Sequence, residues 1–383
     1  MIAQRMYIVP IDGDDVRFLG GSARARNARV AERAGANIRP LASLPASGAD
    51  TAVLVPPQAA LMLALFRDQS FIDATHQASP VWLDAEPGAS VLVGSAAEIA
   101  DVARDTARLA RLPRRAVARG TILNIATAAD RRRATGLALR ATEKATDGWV
   151  SRHVNRPISR AVSRAALVLG LSANTASLLT LLIGLGCAWT AAQPGYLPLV
   201  VTGLLFQLAS ILDGVDGEIA RATLTESEAG ARVDTLVDQV TYLACFAGAT
   251  IGWVREGSGQ LALGSTAFIG VALVLSLLRG GRFVARHSDN ASFVFIDRSV
   301  RRAARDTGRL PLRMAAGTFT LLRRDVFAVI FFAVSLTGLR ASIPALILAG
   351  ILVANMTFSF YGQELADAAR AERGLPEPAN AEG

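Results

Sequence analysis

The chain has 383 residues, enough for two domains, and 51% of them are hydrophobic. Its mean hydropathy of +0.35 is high for a soluble protein, and its net charge of +8 comes almost wholly from arginine, since Lys144 is the only lysine. Basic residues that flank apolar spans suit anionic lipid or phosphorylated substrates and argue against a nucleic-acid partner. The two cysteines, Cys187 and Cys245, both fall in apolar stretches, which argues against a disulfide framework and for buried free thiols.

Met1–Pro10 has a short apolar run followed by Asp12, Asp14 and Asp15, which does not make a secretory signal, so the N-terminus is expected in the cytoplasm. Residues 1–125 read as a small soluble α/β domain. Strands are expected at Met6–Pro10, Thr51–Val55, Val81–Leu83 and Ser90–Val93, and helices at Ala23–Ala34, Gln58–Asp68 and Ala96–Leu109. Such alternation favours a mostly parallel sheet. His76, the lone histidine here, reads as structural or exposed.

Residues 126–170 form a basic, amphipathic collar. Arg152, His153, Arg156, Arg160 and Arg164 recur among Trp149, Val150, Val154, Ile158, Ala161 and Val162. The pattern fits a helix in the membrane interface, with Trp149 at headgroup depth and arginines on phosphates. An ordinary linker helix with a solvated basic face would show the same pattern.

Residues 171–365 contain six apolar spans: Asn174–Ala192, Leu197–Ala220, Val233–Trp253, Leu261–Leu278, Val326–Leu339 and Ile343–Tyr361. The fifth is short for a full crossing. The loop Arg279 to Arg324 carries eleven arginines, whereas the turns on the other side carry only Arg255 and Arg340. By the positive-inside bias, that loop, the turn Thr223–Glu228, the N-terminal domain and the C-terminal tail all face the cytoplasm. Residues 366–383, ending PEPANAEG, read as a disordered tail. The expected fold is therefore an α-helical integral membrane domain of six transmembrane helices, preceded by a small soluble α/β domain.

The most informative stretch lies within the most apolar part of the chain. Asp213 and Asp216 are three apart, and Asp234 and Asp238 are four apart, so each pair shares a helix face. A hairpin through the polar turn Thr223–Glu228 would gather all four at the membrane surface. Four carboxylates repel one another unless a cation compensates them, and hard oxygen ligands suit Mg²⁺ or Mn²⁺. Gly214, Gly217 and Gly230 leave room for a nucleotide or pyrophosphate to approach the backbone, and Arg221 adds a charge suited to phosphate. Carboxylates directly after the apolar run Leu204–Leu212 are costly and usually functional.

The order Asp-x2-Asp-Gly-x2-Ala-Arg-x8-Gly-x3-Asp-x3-Asp is met by Asp213, Asp216, Gly217, Ala220, Arg221, Gly230, Asp234 and Asp238. In this the chain resembles the CDP-alcohol phosphotransferases, also called CDP-alcohol phosphatidyltransferases, over about Trp149 to Gln363. The string DGWVSRHVNRPIS further resembles the inositol-phosphate-handling branch of that family. The resemblance implies transfer of a phospho-alcohol group from a CDP-alcohol to a second alcohol, with release of CMP. It implies that Asp213, Asp216, Asp234 and Asp238 ligate the metal, with Asp238 also the base on the acceptor hydroxyl. Gly217, Ala220, Arg221 and Gly230 would line the CDP site. Asn174 and Ser177 stand where many relatives have Pro-Asn-x-x-Thr beside the cytidine, although Ala173 replaces the proline; Asn174 is equally a candidate helix N-cap.

Some members carry an N-terminal cytidylyltransferase with a Gly-rich loop, an arginine and a lysine. Gly20-Gly21-Ser22-Ala23-Arg24 echoes that loop faintly, and the domain has no lysine, so a degenerate domain kept for packing, dimerisation or regulation is expected. Arg279, Arg282, Arg323 and Arg324 are candidates for an acceptor phosphate, against the alternative of positive-inside anchoring. The expected partners are membrane lipids, a CDP-alcohol such as CDP-diacylglycerol or, as the runner-up, CDP-inositol, and a polyol or polyol-phosphate acceptor. Homodimers are common in the family. The expected location is the inner membrane, with the active site on the cytoplasmic face. An ion transporter is the alternative of another class, but it predicts carboxylates near the bilayer midplane on broken helices. A pseudoenzyme scaffold is a further alternative, and the intact motif argues against it.

Overall fold

The computed structural model describes residues 5–11, 13–45, 50–77, 79–144, 147–287 and 293–372. They divide into two compact units, one comprising residues 1–147, 157–176 and 214–231, the other 148–156, 177–213 and 232–383.

In the first unit the N-terminal domain runs through β1 (Met6–Pro10), β2 (Arg17–Phe18), β3 (Gly21–Ser22), α1 (Ala23–Arg33), β4 (Asn37–Ile38), β5 (Thr51–Val55), β6 (Ala59–Leu61), α2 (Gln69–Thr75), β7 (Val81–Glu86), β8 (Ala89–Ser95), α3 (Ala96–Val102), α4 (Thr106–Arg111), β9 (Arg114–Ala116), β10 (Ile122–Asn124) and α5 (Ala128–Arg140). The main sheet has the order β4-β1-β5-β8-β7-β9. It is mixed rather than mostly parallel. β1 runs parallel to β4 and β5, and β7 to β9, but β8 is antiparallel to both β5 and β7. The Pro87-Gly88 connection is too short for a crossover and forces a hairpin, with Gly88 at φ +78°. Successive side chains feed two layers. Tyr7, Val9, Leu54 and Leu92 pack with Ile99, while Ile8, Val53, Val91 and Val93 pack with Val30, Leu65 and Phe71.

Strands β1 and β5 lie where the sequence places them. The helix expected at Gln58–Asp68 is instead β6 followed by a 3-10 turn, Leu63–Arg67. The helix starts later because Asp68 caps it, accepting from the Ser70 amide at 2.9 Å. Likewise Asp105, accepting from the Ala107 amide at 2.9 Å, begins α4 and splits the helix expected at Ala96–Leu109.

The rest of the chain is helical: α6 (Arg156–Leu169), α7 (Ala173–Ala191), α8 (Tyr196–Thr223), α9 (Glu228–Arg255), α10 (Gly259–His287), α11 (Phe293–Thr307), α12 (Leu310–Leu321), α13 (Arg324–Ser335), α14 (Ser342–Phe360) and α15 (Gly362–Glu372). Among the described residues four helices, α7, α8, α10 and α14, are long and apolar enough to cross a membrane, not the six of the sequence pattern. α9 is long enough, but its first half carries Glu228, Arg232, Asp234 and Asp238. α13 has 12 residues, about 18 Å, against a hydrocarbon core of about 30 Å. The tail is helical as far as Glu372, because Leu365, Ala368 and Ala369 pack into a core with α11 and α12; residues 373–383 lie outside the described residues.

Within the second unit, small residues let backbones approach. A Cβ on Gly248 of α9 would meet the Ala188 carbonyl oxygen of α7, and one on Gly252 the Ala191 carbonyl oxygen, both at 2.2 Å. Phe206 of α8 meets Tyr242 of α9 and both Phe327 and Phe331 of α13, with ring centroids 5.1–6.1 Å apart. This cluster fixes α8, α9 and α13 together. Cys187 and Cys245 are free thiols, Cys187 fully buried.

Candidate active site

Asp213 of α8 and Asp234 and Asp238 of α9 bring one carboxylate oxygen each to within 4.8 Å of one another. All three are half-buried. The spacing of four in Asp234 and Asp238 stacks them on one helix face, and the α8–α9 hairpin supplies the third. Three acidic oxygens so close are a donor set for a hard divalent cation.

Arg324, the first residue of α13, reaches into this group. Its Nη1 lies 2.6 Å from Asp213 Oδ1 and 2.5 Å from Asp238 Oδ1. Its guanidinium sits 5.5 Å from the centre of the Tyr242 ring. A cation thus bridges the two aspartates that come from different helices. Arg323 next to it is paired with Asp325 at 3.5 Å. Asp325 also accepts from the Ser151 amide at 3.0 Å, which ties the middle of the collar to the head of α13.

The motif positions from Asp216 to Gly230 fall in the first unit. Asp216 is buried. Arg221 donates from Nε to the Thr142 carbonyl at 3.2 Å, and its guanidinium lies over Gly217, where a Cβ would stand 2.8 Å from Nη1. Glycine at 217 therefore makes room for the arginine of its own motif. Glu218 is fully buried and accepts from Ser159 Oγ at 2.7 Å and Ser163 Oγ at 2.6 Å, binding α8 to α6. The turn after α8 is closed by Leu224 at φ +58°, a strained conformation for a leucine, and Ser227 caps α9 by accepting from the Gly230 amide at 3.0 Å.

Helix α1 holds that turn. Arg26, 3% exposed, donates from Nε to the Ala222 carbonyl at 3.0 Å and from Nη1 to the Leu61 carbonyl at 2.6 Å. Arg29 donates to the Thr223 carbonyl at 2.9 Å, Arg33 pairs with Glu226, and Leu224 is buried in the core of the α/β domain. Carbonyls at a helix C-terminus lack intrahelical donors, and two arginines supply them here. At the other end of α1 the free amides are taken from within. Ser22 accepts from Ala25 N at 2.9 Å, and Asp15 accepts from Arg24 N at 3.1 Å. The Ser22 hydroxyl holds the Asp15 carboxyl below its usual range against the opposing effect of burial, with help from the Arg24 amide and charge.

The remaining sequence candidates divide. Asn174 is exposed inside α7, and the cap is Ser172, whose Oγ accepts from the Thr175 amide at 3.2 Å; Asn174 is therefore no N-cap. Ser177 is buried. Arg279 donates to Asn355 Oδ1 at 3.2 Å and Ser359 Oγ at 2.9 Å, linking α10 to α14, and Arg282 is exposed. Tyr242, Glu218 and its two serines, and the Arg26–Arg29 pair escaped the sequence reading. Ser159 and Ser163, four apart on one helix face, carried a faint signal; the arginines of α1 carried none, since their acceptors lie 194–196 residues away.

Apolar helices with a carboxylate cluster at the head of a helical hairpin define a membrane protein built around an acidic, cation-compatible site. Residues 170–354 match the family model described as CDP-alcohol phosphatidyltransferase, and this stretch of the chain is a domain of that family. Its curated relatives include proteins named "Bifunctional IPC transferase and DIPP synthase". That of Thermococcus kodakarensis is 41% identical over 31% of this chain and 28% of its own length. That of Archaeoglobus fulgidus is 37% identical over 34% and 26%, and that of Rubrobacter xylanophilus 42% identical over 34% and 29%. The matched segments thus span under a third of each relative.

Proposed function

We propose that the protein transfers a phospho-alcohol group from a CDP-alcohol to a polyol or polyol-phosphate acceptor, releasing CMP. The observation that carries this reading is the convergence of Asp213, Asp234 and Asp238 within a complete family motif. These three would hold Mg²⁺ or Mn²⁺, with Asp216 assigned to the same task by the motif alone. A divalent ion bound there would neutralise the pyrophosphate and ease departure of CMP.

Asp238 is the base that accepts the proton of the acceptor hydroxyl as its oxygen attacks the β-phosphorus. Arg324 binds a phosphate oxygen on the acceptor or the pyrophosphate, the anion taking the place of one of its present carboxylate partners. Gly217, Ala220, Arg221 and Gly230 contribute to CDP binding, as do Asn174 and Ser177. Arg279, engaged with α14, serves the helix packing, and Arg282 and Arg323 remain acceptor candidates.

A lipid donor, CDP-diacylglycerol, suits apolar helices whose side chains face acyl chains, and would make the protein a phospholipid synthase. A soluble CDP-polyol such as CDP-inositol is the second reading, favoured by the names of the relatives and by the DGWVSRHVNRPIS string. The α/β domain is assigned a structural role in either case. Its α1 amides are satisfied by Ser22 and Asp15, where a nucleotide phosphate would need them, and it contains no lysine. The arginine bias supports an inner-membrane location with the active site on the cytoplasmic face.

The test is CMP release by the purified protein with Mg²⁺ or Mn²⁺, offering CDP-diacylglycerol and CDP-inositol in parallel with a panel of polyols and polyol phosphates. CMP from one donor, dependent on one acceptor, identifies both. Silence with every pair would overturn the assignment.

A further inference from the structure

Between α11 and α12, apart from the aspartate site, lies a cleft of ≈ 660 Å³. Its walls carry Arg301 and Arg305 from α11 and Arg313 from α12. Its floor is low because Ala304, Ala316 and Gly317 are small, and a Cβ at Gly317 would meet nothing within 4 Å. Gly308, at φ +64°, lets the chain reverse between the two helices.

Arg301 is held in place. Its Nε donates to both oxygens of Asp297 at 3.0 Å, and its Nη2 to Thr320 Oγ1 at 2.7 Å, while Thr320 in turn donates to the Ala316 carbonyl at 2.9 Å. Nη1 of Arg301 has no acceptor among the described residues. Arg305, one turn further along α11, and Arg313 make no ion pair among the described residues. Asp306 and Glu364 are engaged elsewhere, by Arg302 at 3.6 Å and Arg309 at 2.6 Å. Three guanidiniums therefore line a roomy cleft, and among the described residues Asp297 is the one carboxylate paired with any of them. Guanidinium forks with spare N–H donors match the oxygens of a phosphate.

The neighbouring face of α12 says which phosphate. Leu310, Met314 and Leu321, at spacings of four and seven, form one apolar stripe and are 66%, 66% and 48% exposed. On the helix this stripe lies beside the face that bears Arg313, Gly317 and Thr320, and away from the buried Leu312 and Ala315. Free polyol phosphates have nothing to place on such a stripe, whereas a phospholipid has acyl chains.

We propose that the α11–α12 cleft binds the phosphate of an anionic phospholipid, its chains lying along Leu310, Met314 and Leu321. The site is separate from the transfer site and its test reads binding, not turnover. The full-length protein in a neutral detergent is titrated with phosphatidylglycerol, phosphatidylcholine or sn-glycerol 3-phosphate. Thermal denaturation is followed, and lipid retained is counted by native mass spectrometry.

Phosphatidylglycerol is expected to raise Tm saturably and to remain bound at one copy per chain, with the other two ligands inert. The double variant Arg305→Gln/Arg313→Gln, which removes two exposed unpaired charges, keeps its lipid-free Tm and binds roughly tenfold or more weakly. Arg302→Gln, off the cleft and paired with Asp306, binds as the parent does. Equal shifts with phosphatidylcholine, or with glycerol phosphate alone, would overturn the proposal. So would equal loss in Arg302→Gln, which would mean a diffuse charge effect.

Discussion

The guanidinium of Arg26 donates to the carbonyl of Ala222, 196 residues later, at 3.0 Å. The donor belongs to the first helix of the α/β domain, and the acceptor lies one residue beyond Arg221 of the aspartate motif. The α/β domain thus caps the helix that carries five of the eight motif positions. Replacing Arg26 with Ala leaves buried carbonyls at Ala222 and Leu61 unpaired and opens a cavity at a site 3% exposed. The expected cost is about 3 kcal/mol, seen as a lower Tm by calorimetry. A variant as stable as the parent would show that the cap is dispensable.

Asp238→Asn keeps the shape of the side chain and removes its basicity. CMP release should fall by about 10²-fold or more, while CDP-alcohol binding by equilibrium dialysis stays within a few-fold of the parent. Ordinary turnover in this variant would remove Asp238 from the role of base.

Arg324 neutralises Asp213 and Asp238 from 2.6 and 2.5 Å. Arg324→Gln leaves the carboxylates with less positive charge nearby, so Mn²⁺ should bind more tightly, about threefold or more, by electron paramagnetic resonance titration. The same variant should raise the KM for a phosphorylated acceptor by about tenfold. Weaker Mn²⁺ binding would mean that Arg324 shapes the donor set rather than opposing the ion.

At Gly217 an added methyl would stand 2.8 Å from Arg221 Nη1, the free end of a flexible side chain. Gly217→Ala should therefore fold normally and weaken CDP-alcohol binding by displacing the guanidinium. At Gly248 the obstacle is the Ala188 carbonyl at 2.2 Å, which is backbone and cannot step aside. Gly248→Ala should cost about 1–3 kcal/mol by forcing α7 and α9 apart. Thermal melts of the two variants, measured side by side with ligand affinity, separate these effects.

Chelation tests the ion directly. EDTA should abolish CMP release, and added Mg²⁺ or Mn²⁺ should restore it, whereas the α/β domain should show unchanged circular dichroism because its core contains no part of the carboxylate cluster.

Much of this protein was legible in its sequence because the relevant forces are local. Spacings of three and four put carboxylates on helix faces, the apolar runs announced α7, α8, α10 and α14, and β1 and β5 stood out as short apolar runs. The eight motif positions identified the family without any coordinates. What the sequence misjudged depended on partners or caps. Asp68 delayed a helix, and Pro87-Gly88 turned a parallel strand into a hairpin. α15 became helical only because α11 and α12 offer its leucine and alanines a surface to cover. The tertiary structure alone decided that Arg324 stands between Asp213 and Asp238, and that Arg26 and Arg29 finish α8. It also decided that Arg301, Arg305 and Arg313 share one cleft. Each of these joins charges or carbonyls that lie far apart or on separate helices, and pairing of that kind leaves no periodic trace in a sequence.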